Sequence, residues 1–196
     1  GQALLIAARD GNIRKINSLL KSGTPVDYTT PGSYTPLAYA TARGHLRAAS
    51  LLLKNGADIN KKGRFDKSPL LLVAGSKHFK SAKFLVDRGA DIKAIQWHKA
   101  TCLHEAALWH QPKNLKFFAD IGVDPNIVIG NGASPLHWTI WRANNDDESS
   151  LETAKTLIKI LLEAGAKKSL KTNNGETAHD LAKNKGLDEI AAMLKP

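Results

Sequence analysis

Cysteine is nearly missing from this chain: Cys102 is the only one in 196 residues, so no disulfide can form within it and no thiolate cluster can hold a metal. Long apolar runs are missing as well. No stretch approaches the roughly 20 residues of a membrane-spanning helix, and no basic-then-apolar leader opens the sequence. Compartment is therefore open: the expectation is a soluble, cytoplasmic chain by default, or a periplasmic or secreted one if a leader has been removed. Negative charge is in short supply, with 18 Asp and Glu against 28 Lys and Arg and a formal net charge of +10. That excess favours acidic partners without bearing on the fold.

The patterns that carry chemistry are also wanting. His104-Glu105 followed by His110 comes nearest to a metal motif, but a zinc-protease helix needs its histidines four residues apart. A spacing of six turns the second ring roughly 240° away. Gly130-Asn131-Gly132 reads as a hairpin turn, since no third glycine follows to cradle a pyrophosphate. No serine or cysteine has a base that spacing can place beside it. The expectation is no catalytic residue, no metal ligand and no cofactor, hence no enzyme.

What is present is repetition. Thr35-Pro36-Leu37 returns as Ser68-Pro69-Leu70, Thr101-Cys102-Leu103 and Ser134-Pro135-Leu136, each 33 residues after the last. Gly23, Gly56, Gly89 and Gly122 keep the same step, and Gly56-Ala-Asp-Ile-Asn, Gly89-Ala-Asp-Ile and Gly122-Val-Asp-Pro-Asn follow at one offset. Each unit reads as a helix opened by a capping hydroxyl and a proline, a tight turn such as Gly44, a second apolar helix such as Leu51-Leu52-Leu53, and a left-handed glycine stop.

In period and in its Thr-Pro-Leu-His signature the pattern resembles the ankyrin repeat, over nearly the whole chain. The resemblance implies an all-α ankyrin-repeat solenoid of helix-turn-helix units with short β-hairpin fingers. It implies one domain over 1–196, with repeats at 1–28, 29–61, 62–94, 95–127, 128–170 and 171–196, the outer two acting as caps. Three departures stand out. Ala38 takes the place of the signature histidine, which His104 and His137 supply elsewhere; Lys77 and His110 occupy the turn position of Gly44; and the fifth repeat carries ten extra residues, read as a loop at 142–151. Insertions of this kind map to loops on one face of an array and often mark the binding face.

Such arrays meet partners through their finger tips and the exposed side of each first helix. That register marks Tyr34, Arg43, Arg64, Phe65, Lys67, Trp97, His98, Trp109, Trp141 and Arg142 as partner-binding residues, with Trp138 turned inward. Outer positions carry Arg9, Arg43, Lys62, Arg64, Lys67, Arg142, Lys171 and Lys185 against Asp10 and Glu176. An aromatic centre in a basic field is expected on the concave face. Trp, Tyr and Arg dominate protein-binding hot spots. The resemblance thus implies a monomeric protein-protein interaction module for a folded, partly acidic protein, with an enzyme capped by an inhibitor as one form of it. The alternative is a binder of nucleic acid or another phosphate-rich ligand, which basic residues interleaved with aromatics also suit.

Overall fold

The computed structural model describes residues 1–96 and 99–195, in two compact units covering 1–97 and 98–196. The first contains α1 (Gln2–Arg9), α2 (Ile13–Lys21), α3 (Pro36–Ala42), α4 (Leu46–Lys54), a short 3-10 turn (Arg64–Asp66), α5 (Pro69–Ala74) and α6 (Phe79–Val86). The second contains α7 (Cys102–Leu108), α8 (Pro112–Asp120), α9 (Pro135–Arg142), α10 (Glu148–Glu163), α11 (Ala178–Asn184) and α12 (Asp188–Met193). Among the described residues the only β-pairing is an isolated bridge between Lys171 and Thr177, so the fingers are turns and extended segments rather than laddered hairpins.

The sequence marker has a simple local meaning. Thr35 and Ser68 are N-caps whose side-chain oxygens accept the backbone N–H of Ala38 (3.1 Å) and Leu71 (3.3 Å). The proline that follows fills the first helical position, where its missing N–H costs nothing. Leu37, Leu70, Leu103 and Leu136, next in line, are wholly or almost wholly buried. At the other end of each repeat Gly23, Gly56, Gly89, Gly122 and Gly165 sit at φ between +83° and +88°. A Cβ there would touch nothing within 4 Å, so these glycines answer to backbone conformation alone.

Apart from α10, these helices are six to nine residues long, too short for any to hold itself together in water. Their stability comes from stacking. In the first unit α1, α3 and α5 lie side by side while α2 packs on α4, enclosing Leu4, Ile16, Leu37, Ala48 and Leu52. Polar ladders reinforce the stack: Asp27 accepts the N–H of Asp58, and Asn60 accepts that of Asp91. In the second unit α7, α9 and α11 stack likewise, with α8 against α10.

Here the signature histidines appear. His104 Nδ1 accepts from the Thr101 N–H (3.2 Å), which leaves the ring proton on Nε2 to donate to the Ala133 carbonyl (3.3 Å) in the next repeat. His137 repeats the arrangement between Ser134 and the Glu176 carbonyl. Ala38, in the equivalent place of the first unit, is buried and apolar.

The inserted residues take two forms. Only 143–147 form a loop; from Glu148 the remainder adds turns to the front of α10, which reaches 16 residues where α4 and α8 have nine. Asp147 starts that helix, its carboxylate accepting the Ser150 N–H (3.2 Å).

Candidate functional site

In the first unit two neighbouring fingers form one surface. The Arg64 N–H donates to the Ser33 carbonyl (2.8 Å), and Gly63 lies so near Tyr34 that a Cβ would come within 2.8 Å of its backbone. Between them lies a groove of about 610 Å³ lined by Thr29, Pro31, Lys62, Arg64 and Phe65 among others. Phe65 is 53% exposed at φ +57°, and Asp66 follows at +58°. Bulky residues avoid that region, so Phe65 marks stored strain, whereas Asp tolerates it better. An ion pair from Lys62 to Asp66 (2.7 Å) closes over the turn, and the Arg64 guanidinium lies 4.4 Å from the centre of the Phe65 ring. The ring is thus held outward by the backbone and faced by a cation.

Of the other sequence-predicted residues here, Tyr34 is half-buried and packs edge-to-face on Tyr39, at 5.7 Å between ring centres. Lys67 is half-buried behind the 3-10 turn, and Arg43 is exposed at the end of α3.

In the second unit the ends of the first helices carry the surface. Trp109 caps the C-terminus of α7 and is 51% exposed; Trp141, in the last turn of α9, is 39% exposed. Because α7 and α9 pack side by side, the two indoles belong to one edge of the stack. Arg142 follows Trp141, exposed and without a hydrogen bond or ion pair. Trp138 is part-buried, edge-to-face on His104 at 5.3 Å, as its inward register requires. Trp97 and His98 lie outside the described residues.

Two residues outside the expected partner-binding set complete this edge. Lys185, from α11, donates to the carbonyls of Ile140 (3.1 Å), Trp141 (2.9 Å) and Ala143 (2.7 Å). One ammonium thereby caps the C-terminus of α9, at the point where the insertion has removed the usual turn. Burial pushes its pKa below the ordinary lysine value. The second is His110. It stands in the turn position that Gly11 and Gly44 hold in the first unit, at φ +51°. Its presence in a glycine slot was the available signal. Lys185, by contrast, is one basic side chain among 28, and only the fold reveals its partners.

Burial lowers the pKa of His104 to about 4 and moves His110 and His137 in the same direction, keeping these rings neutral near pH 7. Among the described residues no group of three or more His, Cys, Asp or Glu could hold a metal, and no helix is long and apolar enough to cross a membrane. His104 and His137 spend both ring nitrogens on the repeat framework.

The geometry is that of a repeat scaffold bearing exposed aromatic and basic side chains, a class whose chemistry is binding. Comparison with known proteins agrees. Residues 1–63 match the family model for ankyrin repeats (3 copies). A crystal structure of an ankyrin repeat domain from Acinetobacter baumannii AYE is 28% identical, with a TM-score of 0.81 over 97% of this chain and 95% of that one. A chain in the structure of a predatory endopeptidase from Bdellovibrio bacteriovorus in complex with an immunity protein is 22% identical, with a TM-score of 0.81 over 99% of this chain and 97% of that one. No curated protein sequence matches. Residues 1–63 match the ankyrin-repeat family by sequence, and the fold is that of ankyrin repeat domains. Ankyrin repeats indicate a protein-protein interaction module, and the fold is generally a non-catalytic binding scaffold.

Proposed function

We propose that this protein grips a folded protein partner with an acidic surface, through Trp109, Trp141 and Arg142 in one unit and Tyr34, Arg43, Arg64, Phe65 and Lys67 in the other. Trp97 and His98 join the proposal by their register. The observation that carries it is the pairing of two solvent-facing indoles with an unpaired guanidinium at the ends of adjacent helices. A half-exposed tryptophan leaves apolar area in water that a partner can cover, and an unpaired Arg beside it supplies complementarity to a carboxylate.

The finer step is that the partner is an enzyme whose active-site mouth this surface covers. A rigid preformed surface suits that task, because little ordering entropy is lost on docking. The occurrence of the same fold in a structure of an endopeptidase with an immunity protein supports the step.

The test compares the chain with a Trp109→Ala, Trp141→Ala, Arg142→Ala variant as immobilised bait, followed by purification of whatever the first retains and the second loses. Affinity of the pure pair is then read against salt. A protein partner held by desolvated aromatics keeps most of its affinity between 50 and 200 mM salt. A phosphate-rich ligand neutralised by six or more contacts loses on the order of a thousandfold over that range. Equal retention by both baits, or tight and steeply salt-dependent binding of an unrelated oligonucleotide, would overturn the proposal.

A further inference from the structure

In the first unit the turns between paired helices stack without a gap. A Cβ on Gly11 would lie 2.6 Å from the ring of His45, and one on Gly44 would lie 2.7 Å from that of His78. Each histidine thus covers the glycine of the turn before it. The second unit breaks the pattern on both sides: His110 occupies the glycine position, and the insertion moves the following turn away. What results is a cavity of about 330 Å³ lined by His110, Arg142, Asn144, Asp147, Ser150 and Thr153, with Ser149 at its wall.

Its polar groups are unusually uncommitted. The His110 ring is hydrogen-bonded to the backbone of Thr139, while its Nε2, shielded from solvent, bonds to no protein group. Arg142 has no anion. The Ser150 Oγ accepts from the Asn144 N–H (3.2 Å), and its own proton remains available to donate. Asp147 is the one carboxylate on the wall, and one of its oxygens is spent capping α10.

We propose that this cavity is a carboxylate subsite, taking one Asp or Glu side chain of the protein partner with His110 taking up a proton as it binds. Its ligand rests on the protein-binding reading above; its chemistry does not. With the imidazole neutral, Arg142 and Asp147 cancel, and the cavity has no net charge with which to hold an anion. A proton on His110 supplies one positive charge, enough for a carboxylate and short of what a phosphate dianion beside Asp147 needs. The charges facing His110 oppose each other: Arg142, from the end of α9, lowers its pKa together with burial, and Asp147, from the start of α10, raises it. An oxyanion bound at Arg142 offsets the guanidinium and shifts the balance toward the imidazolium. Affinity for a carboxylate therefore rises as pH falls.

The experiment needs no partner. Ring signals of His110, assigned from the spectrum of His110→Gly, are titrated with pH in the full chain, in sodium acetate, sodium phosphate and sodium chloride at matched ionic strength. The expected result is that acetate raises the titration midpoint by about half a pH unit over chloride. Arg142→Gln removes that shift, and Arg47→Gln, exposed on α4 and outside the proposed contact surface, leaves it intact. His110→Gly restores the turn residue of Gly44, so it folds, and without the proton that supplies the positive charge it does not hold acetate at any pH. No response beyond chloride, or an unchanged response in Arg142→Gln, would overturn the subsite. A larger response to phosphate than to acetate would overturn its assignment to a carboxylate. An acetate response in a chain that captures no protein would instead count against the protein-binding reading, so the two can fail separately.

Discussion

Replacing Lys185 by methionine keeps the aliphatic stem and removes the ammonium, which tests what closes α9 now that the insertion has displaced its turn. Three carbonyls lose a charged donor, at 3.1, 2.9 and 2.7 Å. A buried bond of this type contributes about 1.5–3 kcal/mol, but the Lys185 ammonium is only partly withdrawn from water, which can take over part of the task. About 0.5–1 kcal/mol for each bond is the appropriate scale, including the favourable placement of a cation at a helix C-terminus. The expected loss is about 2 kcal/mol, or a fall in melting temperature of about 4–8 °C for a chain of this length. Urea denaturation followed by tryptophan emission reads both the midpoint and the setting of Trp141, whose carbonyl is one of the three acceptors. Lys185→Arg should recover less than half of the loss, because a planar guanidinium cannot aim three bonds from one nitrogen. A Lys185→Met midpoint within about 0.5 kcal/mol of the parent, in the range of an ordinary surface substitution, would show that the cap is incidental.

The remaining predictions divide between the framework and the surface. His104 is neutral when folded, with its pKa lowered to about 4, so the unfolded chain binds the extra proton: its contribution is complete above about pH 6.5 and is lost as pH falls toward 4. That window corresponds to about 3 kcal/mol, and His104→Leu should flatten the slope of stability against pH across it, as read by urea midpoints at each pH. Phe65→Asn should raise stability by about 0.5–1 kcal/mol by easing the left-handed backbone, while weakening the partner complex; a fall in stability would mean that the ring is structural. Trp109→Ala and Trp141→Ala should each leave the melting temperature within a few degrees, and the stronger of the two should cost about 2 kcal/mol of partner affinity by titration calorimetry.

Much of the framework was legible in the sequence because each marker does one local job. Thr35, Pro36 and Leu37 are a cap, a first helical residue and a core residue; Gly56 and its equivalents are left-handed stops with open space around them. Such roles need only neighbours in the chain and repeat with its period. The exposure of Trp109, Trp141, Arg142, Phe65 and Arg64 followed from the same register. The interior of the insertion did not. Residues 144–150 have no apolar period, so nothing in the pattern distinguishes a loop from the solvated first turns of α10; only Asp147 as a cap before Leu151 hinted at the helix. The carbonyl partners of Lys185 and the Thr139 backbone that holds the His110 ring lie more than 25 residues away in sequence, at separations that no spacing rule encodes.

These illegible features share a location, and that has a physical reason. A repeat array is held by near-identical contacts between neighbours, so a break in the pattern must be closed by groups outside it. In the first unit glycine and histidine close two successive turns, Gly11 with His45 and Gly44 with His78. In the second, Lys185 does so from above α9, while below it His110 is left facing the space that the insertion opens. The lysine makes the departure stable enough to persist. The histidine leaves it chemically unfinished, with a strained backbone and a buried nitrogen lacking a partner. Strain and an unmet hydrogen bond together oppose folding, and such arrangements persist where surrounding contacts over-determine them and binding makes use of them. Lys185, the N-cap at Asp147 and the packing of α8 against α10 supply those contacts, so the cavity is held open by the fold before any carboxylate reaches it.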